Sequence, residues 1–516
     1  MAPSHARLAT RVAAGILLTR IVGFVRERVF AHYFGNSATA DAFRAALRIP
    51  NAIRNLLGEG TLSASFIPVY AGMIARGETA DARRLAGTIA SLLVLGSAVA
   101  AGLGILLAPV ITDVVAPGFD QGRRDLTVRL VEILFPMFGI TILAAWCLGI
   151  LNTHRRFFLS YAAPTVWNIA QIATLVALGG VLAGARLAVA LAVGALVGSL
   201  LQLAVQLPST LRLVGRFEWS LDLATPGVRP VLRAWGPVVV GAGVVQISSI
   251  VDTQLASLLG AGAVAVLGYA QLVALLPISL FGASVAAVAL PELSRDAATT
   301  DPAVLRRQLG DGARRIVFFV VPSAYAFAAL GVPIIATLFQ TGRFGAADTE
   351  VTSGVLAAYA IGLLGQASVK LFASGFYALR DTRTPVRVAV LAVALAAALA
   401  AWLMQYLGPA GIALAAAIGA YVNVGLLVAR LERRVGPLVG AGDRRPLVAV
   451  LVGALGGTVA GVVTAGALSG RPVGIVCLAA LGAFGLVYGT ATLALGHPEA
   501  RRLLGPLRGA ARRDGA

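Results

Sequence analysis

The chain has 516 residues, 58% of them hydrophobic and 13% charged, against about 45–50% apolar and about 25% charged residues in an ordinary soluble protein. That composition argues against a soluble globular fold and for a polytopic membrane protein. A formal charge of +19, from 42 basic and 23 acidic side chains, would suggest nucleic acid in a soluble domain, so its placement along the chain decides its meaning.

The N-terminal tail carries Arg7 and Arg11, and the apolar stretch after it is interrupted by Arg20, which argues against a cleaved signal peptide. Two segments at about 10–33 and 37–57 are apolar in outline but contain Arg20, Arg26, Arg44, Arg48 and Arg54. Twelve later segments qualify as spans on hydropathy alone, at about 87–112, 129–151, 161–184, 186–207, 235–260, 264–290, 316–338, 351–373, 385–406, 409–429, 446–468 and 472–495. Long runs such as Val388 to Trp402 do not alternate, so helices rather than barrel strands are expected. The fold class is therefore an all-α polytopic membrane protein of about fourteen helices.

Sorting Lys and Arg onto alternating sides of fourteen spans puts 29 on the side of both termini and five on the other, with eight inside or at the edges of spans. The positive-inside rule makes the termini cytoplasmic. Most of the surplus is thus topological, and no nucleic-acid partner is expected. The basic tail from Arg501 to Arg513 is a further candidate for contact with anionic lipid.

The chain repeats itself. The run from Gly194 to Leu207 resembles that from Gly419 to Leu431, 225 residues later. Ala163-Pro164 follows the basic loop His154-Arg155-Arg156 much as Thr384-Pro385 follows Arg380-Asp381-Thr382-Arg383. Phe34-Gly35, Ile49-Pro50 and Ile67-Pro68 have weaker counterparts in Leu259-Gly260, Leu276-Pro277 and Leu290-Pro291. An offset of six helices keeps orientation, so two parallel, pseudo-symmetric six-helix lobes are expected, at 1–215 and 216–435. A C-terminal helix pair and basic tail follow at 436–516. Such repeats are a transporter architecture, with a site expected between the lobes. Gly194-x-x-x-Gly198 is read as close helix packing rather than a ligand site.

A central arginine costs about 2.5–3.5 kcal/mol on insertion scales, so several of them call for a wet cavity or a ligand. Arg20 and Arg26 are six residues apart, roughly 120° around a straight helix, with Gly23 between them as a place to bend. Arg44, Arg48, Asn51 and Arg54 would share one helical face, and Pro50 would free carbonyls in mid-helix. Guanidinium groups bind phosphates and carboxylates through paired hydrogen bonds, so an anionic substrate such as a pyrophosphate is indicated. Arg28, Arg44 and Arg48 have an ordinary alternative, snorkelling or pairing with Glu27 and Asp41. Asp252 is the one carboxylate well inside a strongly apolar span, either a cation or proton site or the partner of an arginine. Glu59, in Gly58-Glu59-Gly60, marks a hinge or a loop end, and Lys370 either adds polarity to its span or snorkels. The four histidines are scattered without metal spacing, and no phosphate-binding P-loop is present, so neither a metal site nor an enzyme is expected.

Thr19-Arg20-Ile-Val-Gly-Phe-Val-Arg26-Glu27, Phe34-Gly35, Ala40-Asp41-Ala-Phe43, Ile49-Pro50-Asn51-x-x-Arg54 and Gly58-Glu59-Gly60 resemble the N-terminal signature of the MurJ (MviN) lipid II flippases. These belong to the multidrug/oligosaccharidyl-lipid/polysaccharide exporter superfamily. The run from Ser374 to Val386 resembles the same family's connection from the tenth to the eleventh helix. The resemblance implies fourteen helices and a central cationic cavity. It further implies translocation of an undecaprenyl-diphosphate-linked peptidoglycan precursor from the cytoplasmic to the outer leaflet of the bacterial inner membrane.

By position, Arg20, Arg26 and Arg54 match family arginines important for function, and Asp41, Asn51 and Glu59 match polar residues of the same two helices. The site expected is Arg20, Arg26, Arg54 and Asn51 for substrate, with Glu27, Asp41 and Glu59 as gating or polar support and Asp252 as a cation or proton site. Two departures stand out. Leu272 occupies the place of a usual cavity arginine, and Ala396, Ala400 and Ala416 replace polar cation ligands of some members. No cofactor is implied, and coupling to membrane potential or to a monovalent cation stays open. Lipid II and the bilayer are the expected partners, with cell-wall synthases as candidates. Export of another lipid-linked oligosaccharide, or a transport-inactive scaffold for cell-wall synthesis, are the competing readings.

Overall fold

A computed structural model of the chain describes residues 2–282, 302–438 and 444–502. The chain divides into two compact units, residues 1–265 with 341–344, and residues 266–340 with 345–516. Among the described residues, ten helices are long and apolar enough to cross a membrane. The pair Pro302–Ala329 and Gly331–Phe339, bent by 82° at its break, makes an eleventh if it is one span. The end of the expected span 264–290, its Leu290-Pro291 repeat element and most of the basic tail lie outside the described residues.

Unit 1 opens with α1 (Ala2–Phe34), a single helix that ends at Gly35, whose φ is +56°. The segment expected as one span at 37–57 is instead α2 (Ala38–Ala46) and α3 (Arg48–Leu57), followed by α4 (Glu59–Ala75). Ser37 caps α2 by accepting the Ala40 N–H. The break at Leu47 puts Pro50 in the first turn of a new helix, where a missing N–H breaks no intrahelical bond. The expectation of carbonyls freed in mid-helix is corrected accordingly. Gly58 closes α3, its N–H donating to Arg54 O at 2.7 Å.

Next come α5 (Thr79–Leu106), α6 (Ala108–Val115), α7 (Gln121–Thr153), α8 (Phe157–Ala162), α9 (Pro164–Leu178), α10 (Gly184–Val214) and α11 (Val228–Ser257). Asp120 starts α7 by accepting the Arg123 N–H at 3.0 Å. α7 is the axis of the unit. Its apolar run from Leu134 to Leu151 is mostly buried, against α2, α4, α5 and α10. Lipid tails are as apolar as leucine, so contacts in hydrocarbon rest on close packing rather than on the hydrophobic effect. The α9–α10 contact illustrates this. A side chain at Gly194 would strike Thr174, and one at Gly198 would meet Ala170 and the Trp167 backbone, as expected of that glycine pair. Although the repeat assigns α11 to the second lobe, it packs on α3, α4 and α6.

Unit 2 contains most of α12 (Ala263–Pro277), then α13 (Pro302–Ala329), α14 (Gly331–Phe339), α15 (Ala346–Ala378), α16 (Arg383–Leu407), α17 (Pro409–Val435), α18 (Arg444–Ala467) and α19 (Val473–Ala494). α15 is its core helix, packed on α13, α14 and α17. Ala396 of α16 lies against Gly419 of α17, where an added Cβ would approach within 2.7 Å, and Ala400 is buried.

The repeat is written into the backbone. α7 ends with Arg155 N–H donating to Asn152 O and Arg156 N–H to Leu151 O; α15 ends with Arg380 N–H donating to Tyr377 O and Asp381 N–H to Phe376 O. All four pairs of positions differ by 225, and Arg155 and Arg380 share left-handed φ values of 59° and 57°. Glycine is the usual residue at this helix-terminating position.

Candidate functional site

The arginines expected on the two opening helices do not converge on one point. α1 is pinned to the α8–α9 segment by Thr19, whose hydroxyl donates to Tyr161 O at 2.7 Å and lies 2.9 Å from the Thr165 hydroxyl. One residue on, Arg20 lines a cavity of about 530 Å³ within unit 1, and Arg54 of α3 lines it too. The remaining wall comes from α7 (Thr141, Ala145, Leu148), from Ser160, Tyr161, Trp167 and Asn168 of the α8–α9 segment, and from Gln202 of α10. No carboxylate lines this cavity among the described residues. Two guanidinium groups among hydroxyl, amide and indole groups make a chamber that favours an anion.

Arg26 takes a different direction from Arg20, as a separation near 120° requires. Its guanidinium lies 4.9 Å from the centre of the Trp167 ring and bonds to Glu27 Oε1 at 2.5 Å. Arg44 reaches the other oxygen of Glu27 at 2.8 Å and sits over Phe30. Glu27 thus pairs with two half-buried cations at once, leaving the trio a net charge of +1. Trp167 joins this cluster to the cavity, and its indole donates to Ala195 O at 3.0 Å, an approach that the small residues of α10 permit.

Asp41 is fully buried and accepts the N–H groups of Gly262 and Ala265 at 2.5 and 2.8 Å, with Arg123 at 3.8 Å. It caps the start of α12 and does not line the cavity. Arg48 donates to Thr253 at 2.7 Å and Ser249 at 2.6 Å on α11, which brings its charge within electrostatic reach of Asp252. Of the two roles left open for Asp252, the structure supplies a nearby arginine, from α3. The polar stripe expected on one continuous helix is therefore split, with Arg44 toward α1, Arg48 toward α11 and Arg54 toward the cavity. Asn51 is not among the cavity residues, and among the described residues no donor reaches its buried Oδ1. Glu59 opens α4, but its side chain lies outside the described residues. In unit 2, Leu272 is partly exposed on α12 and Lys370 is exposed on α15.

Sequence reasoning missed Tyr161, Trp167, Asn168 and Gln202. The available signal was polarity in apolar helices: an asparagine and two glutamines at 168, 171 and 202 need partners in hydrocarbon.

A profile of the family described as lipid II flippase MurJ matches residues 30–474. The chain belongs to the MurJ family. Among its relatives, a lipid II flippase MurJ from Burkholderia cenocepacia is 34% identical over 430 residues, covering 82% of this chain and 83% of that one. A probable lipid II flippase MurJ from Rhizobium meliloti is 32% identical over 439 residues, covering 82% and 80%. In fold, the chain is similar to a solved lipid II flippase MurJ in an inward closed conformation. The TM-score is 0.78 at 24% identity, over 96% of this chain and 99% of that one. An inward-facing multidrug resistance MATE family transporter of the MOP superfamily is similar with a TM-score of 0.67 at 14% identity, over 84% and 98%. As a MurJ family member the chain is a multi-pass membrane transporter rather than an enzyme.

Proposed function

We propose that this chain is a lipid II flippase of the bacterial inner membrane. It moves undecaprenyl-diphosphate-linked peptidoglycan precursor from the cytoplasmic to the outer leaflet for cell-wall synthesis, with both termini cytoplasmic. The observation that carries the reading is the cavity that Arg20 and Arg54 line together, with no carboxylate in its wall among the described residues. Arg20 and Arg54 take the diphosphate by paired hydrogen bonds that replace its hydration, while the polyprenyl tail stays in lipid. Arg26 supports the site from behind, through Trp167 and Glu27. Such substitution of protein donors for water lowers the barrier to carrying charge through hydrocarbon.

Transport proceeds by alternating access, a mode that suits the transporter fold shared with MATE-type proteins. The membrane potential biases the cycle by about 2.3 kcal/mol per charge per 100 mV acting on whatever charges move. A monovalent cation is a second coupling candidate, with Asp252 as its carboxylate.

The test is depletion of the protein in its host, followed by analysis of lipid-linked intermediates, together with translocation of labelled lipid II by the purified protein in liposomes. Accumulation of lipid II and restored flipping support the reading. Accumulation of a different lipid-linked glycan would replace the substrate, and failure to flip any of them alongside co-purification with cell-wall synthases would replace the function. Arg20→Ala and Arg54→Ala are expected to abolish complementation with protein levels unchanged, while the lysine variants retain charge but lose bidentate geometry and recover only part.

A further inference from the structure

The turn that ends α7 holds a second cavity, of about 520 Å³, bounded by Arg155, Arg156, Phe157 and Phe158 on one side and by Ser209 and Arg212 of α10 on the other. It is distinct from the Arg20–Arg54 chamber, yet shares a wall with it: the same six-residue helix α8 sends Phe157 and Phe158 to one cavity and Ser160 and Tyr161 to the other.

The internal repeat supplies a matching corner in unit 2 for comparison. At the matching turn in unit 2, Asp381 accepts from Arg434 at 2.8 Å, from the Thr384 N–H at 2.9 Å and from the Thr384 hydroxyl at 2.7 Å. Under the offset of 225, Asp381 corresponds to Arg156 and Arg434 to Ser209. The carboxylate has become a third arginine, and the arginine that neutralised it has become a small residue, so an ion pair is exchanged for an open basic pocket. Seven residues separate Arg156 from Pro164 where three separate Asp381 from Pro385. The additional four make up the turn of helix that brings Phe157 and Phe158 to the rim, the latter 50% exposed. No carboxylate lines the pocket among the described residues.

Three guanidinium groups beside two aromatic rings, where apolar spans end, match an amphiphile with an anionic head. We infer that this pocket binds the phosphate headgroup of an anionic glycerophospholipid of the surrounding bilayer, with the acyl chains against Phe157 and Phe158. Charge complementarity favours the phosphate, and the exposed rings favour a lipid over a free anion.

The test is native mass spectrometry of the purified full-length chain titrated with phosphatidylglycerol, with phosphatidylcholine, and with phosphatidylglycerol in the presence of inorganic phosphate. The wild type is expected to prefer phosphatidylglycerol. The triple variant Arg155→Gln/Arg156→Gln/Arg212→Gln is expected to lose that preference by about tenfold or more. The double variant Arg156→Asp/Ser209→Arg installs the ion pair of unit 2, which that turn tolerates, and is expected to close the pocket and lose the preference in a folded protein. Arg20→Gln/Arg54→Gln is expected to keep it. Equal binding of the two lipids by the wild type, undiminished preference in the double variant, or displacement of phosphatidylglycerol by equimolar inorganic phosphate would overturn the assignment.

Discussion

The Trp167 ring lies 4.9 Å from the Arg26 guanidinium and at the same time forms part of the wall of the Arg20–Arg54 chamber. A buried cation over an indole face gains about 0.5–2 kcal/mol, so this contact both anchors Arg26 and sets one side of the chamber. Trp167→Phe keeps a ring and loses the bond to Ala195 O; Trp167→Ala loses both. Complementation under reduced expression is expected to fall slightly for Phe and severely for Ala, with both proteins present in the membrane. Equal function of the alanine variant would remove Trp167 from the site.

Glu27 is the shared counter-ion of Arg26 and Arg44, with side-chain exposures of 14%, 20% and 17%. Removing one partner of a fully buried pair costs about 3–5 kcal/mol, because the remaining charge is stranded, and groups that keep this much contact with solvent lose less. Glu27→Gln is accordingly expected to lower the melting temperature in detergent. Adding Arg44→Gln should return part of that loss, since one of the two stranded cations is then gone. A double variant as unstable as the sum of the two single variants would show that the bridge contributes nothing.

Asp41, expected as gating or polar support, accepts the Gly262 and Ala265 N–H groups at the start of α12. Asp41→Asn retains one acceptor and turns an amide toward the second N–H, leaving it unsatisfied at a cost of about 1–3 kcal/mol. The expected outcome is a less heat-stable protein whose transport per folded molecule is close to normal, measured in liposomes at matched protein. A selective transport loss with unchanged stability would return Asp41 to the substrate path.

The loop carboxylate of Asp381 is held down to about 2 by the Thr384 N–H and hydroxyl and by Arg434, against an ordinary 3.8. A carboxyl depressed on folding contributes stability that is present above its unfolded value and is lost as pH falls through its folded one. Between about pH 4 and pH 2, therefore, the wild type should lose this contribution, while Asp381→Asn should lack it throughout. Melting curves of the two are expected to differ at neutral pH and to converge toward pH 2. A difference that stays constant across that range would contradict the assignment.

Much of the fold was legible because hydrocarbon allows few solutions. Long apolar runs without alternation become helices, and the described helices follow most of the expected spans from α5 onward, although the span expected at 316–338 breaks by 82° between α13 and α14. The repeat was legible in the glycine runs and in the turn at Arg155 and Arg380. The second span was expected as one continuous helix with a single polar stripe; it is two helices meeting at Leu47, and Arg44, Arg48 and Arg54 meet different partners. Part of the chamber was legible, since Arg20 and Arg54 were marked by the cost of arginine in an apolar segment. Its other wall was not. Trp167, Asn168 and Gln202 lie more than a hundred residues from Arg20 in sequence, and each alone is an ordinary residue of a helix packed on helices.

What the order of residues determined by itself was the class of molecule, the family and the identity of the costly charges, because solvation cost is a property of each residue type and of the run around it. Which arginines line the chamber and which pair with Glu27 was decided only by tertiary structure. That outcome depends on whether a carboxylate, a hydroxyl or an open cavity lies within a few ångströms of each guanidinium. No local pattern carries that distance: helical spacing turns Arg20 and Arg26 apart, but that Arg26 meets Trp167 while Arg20 shares a cavity with Arg54 depends on helices packed from elsewhere in the chain.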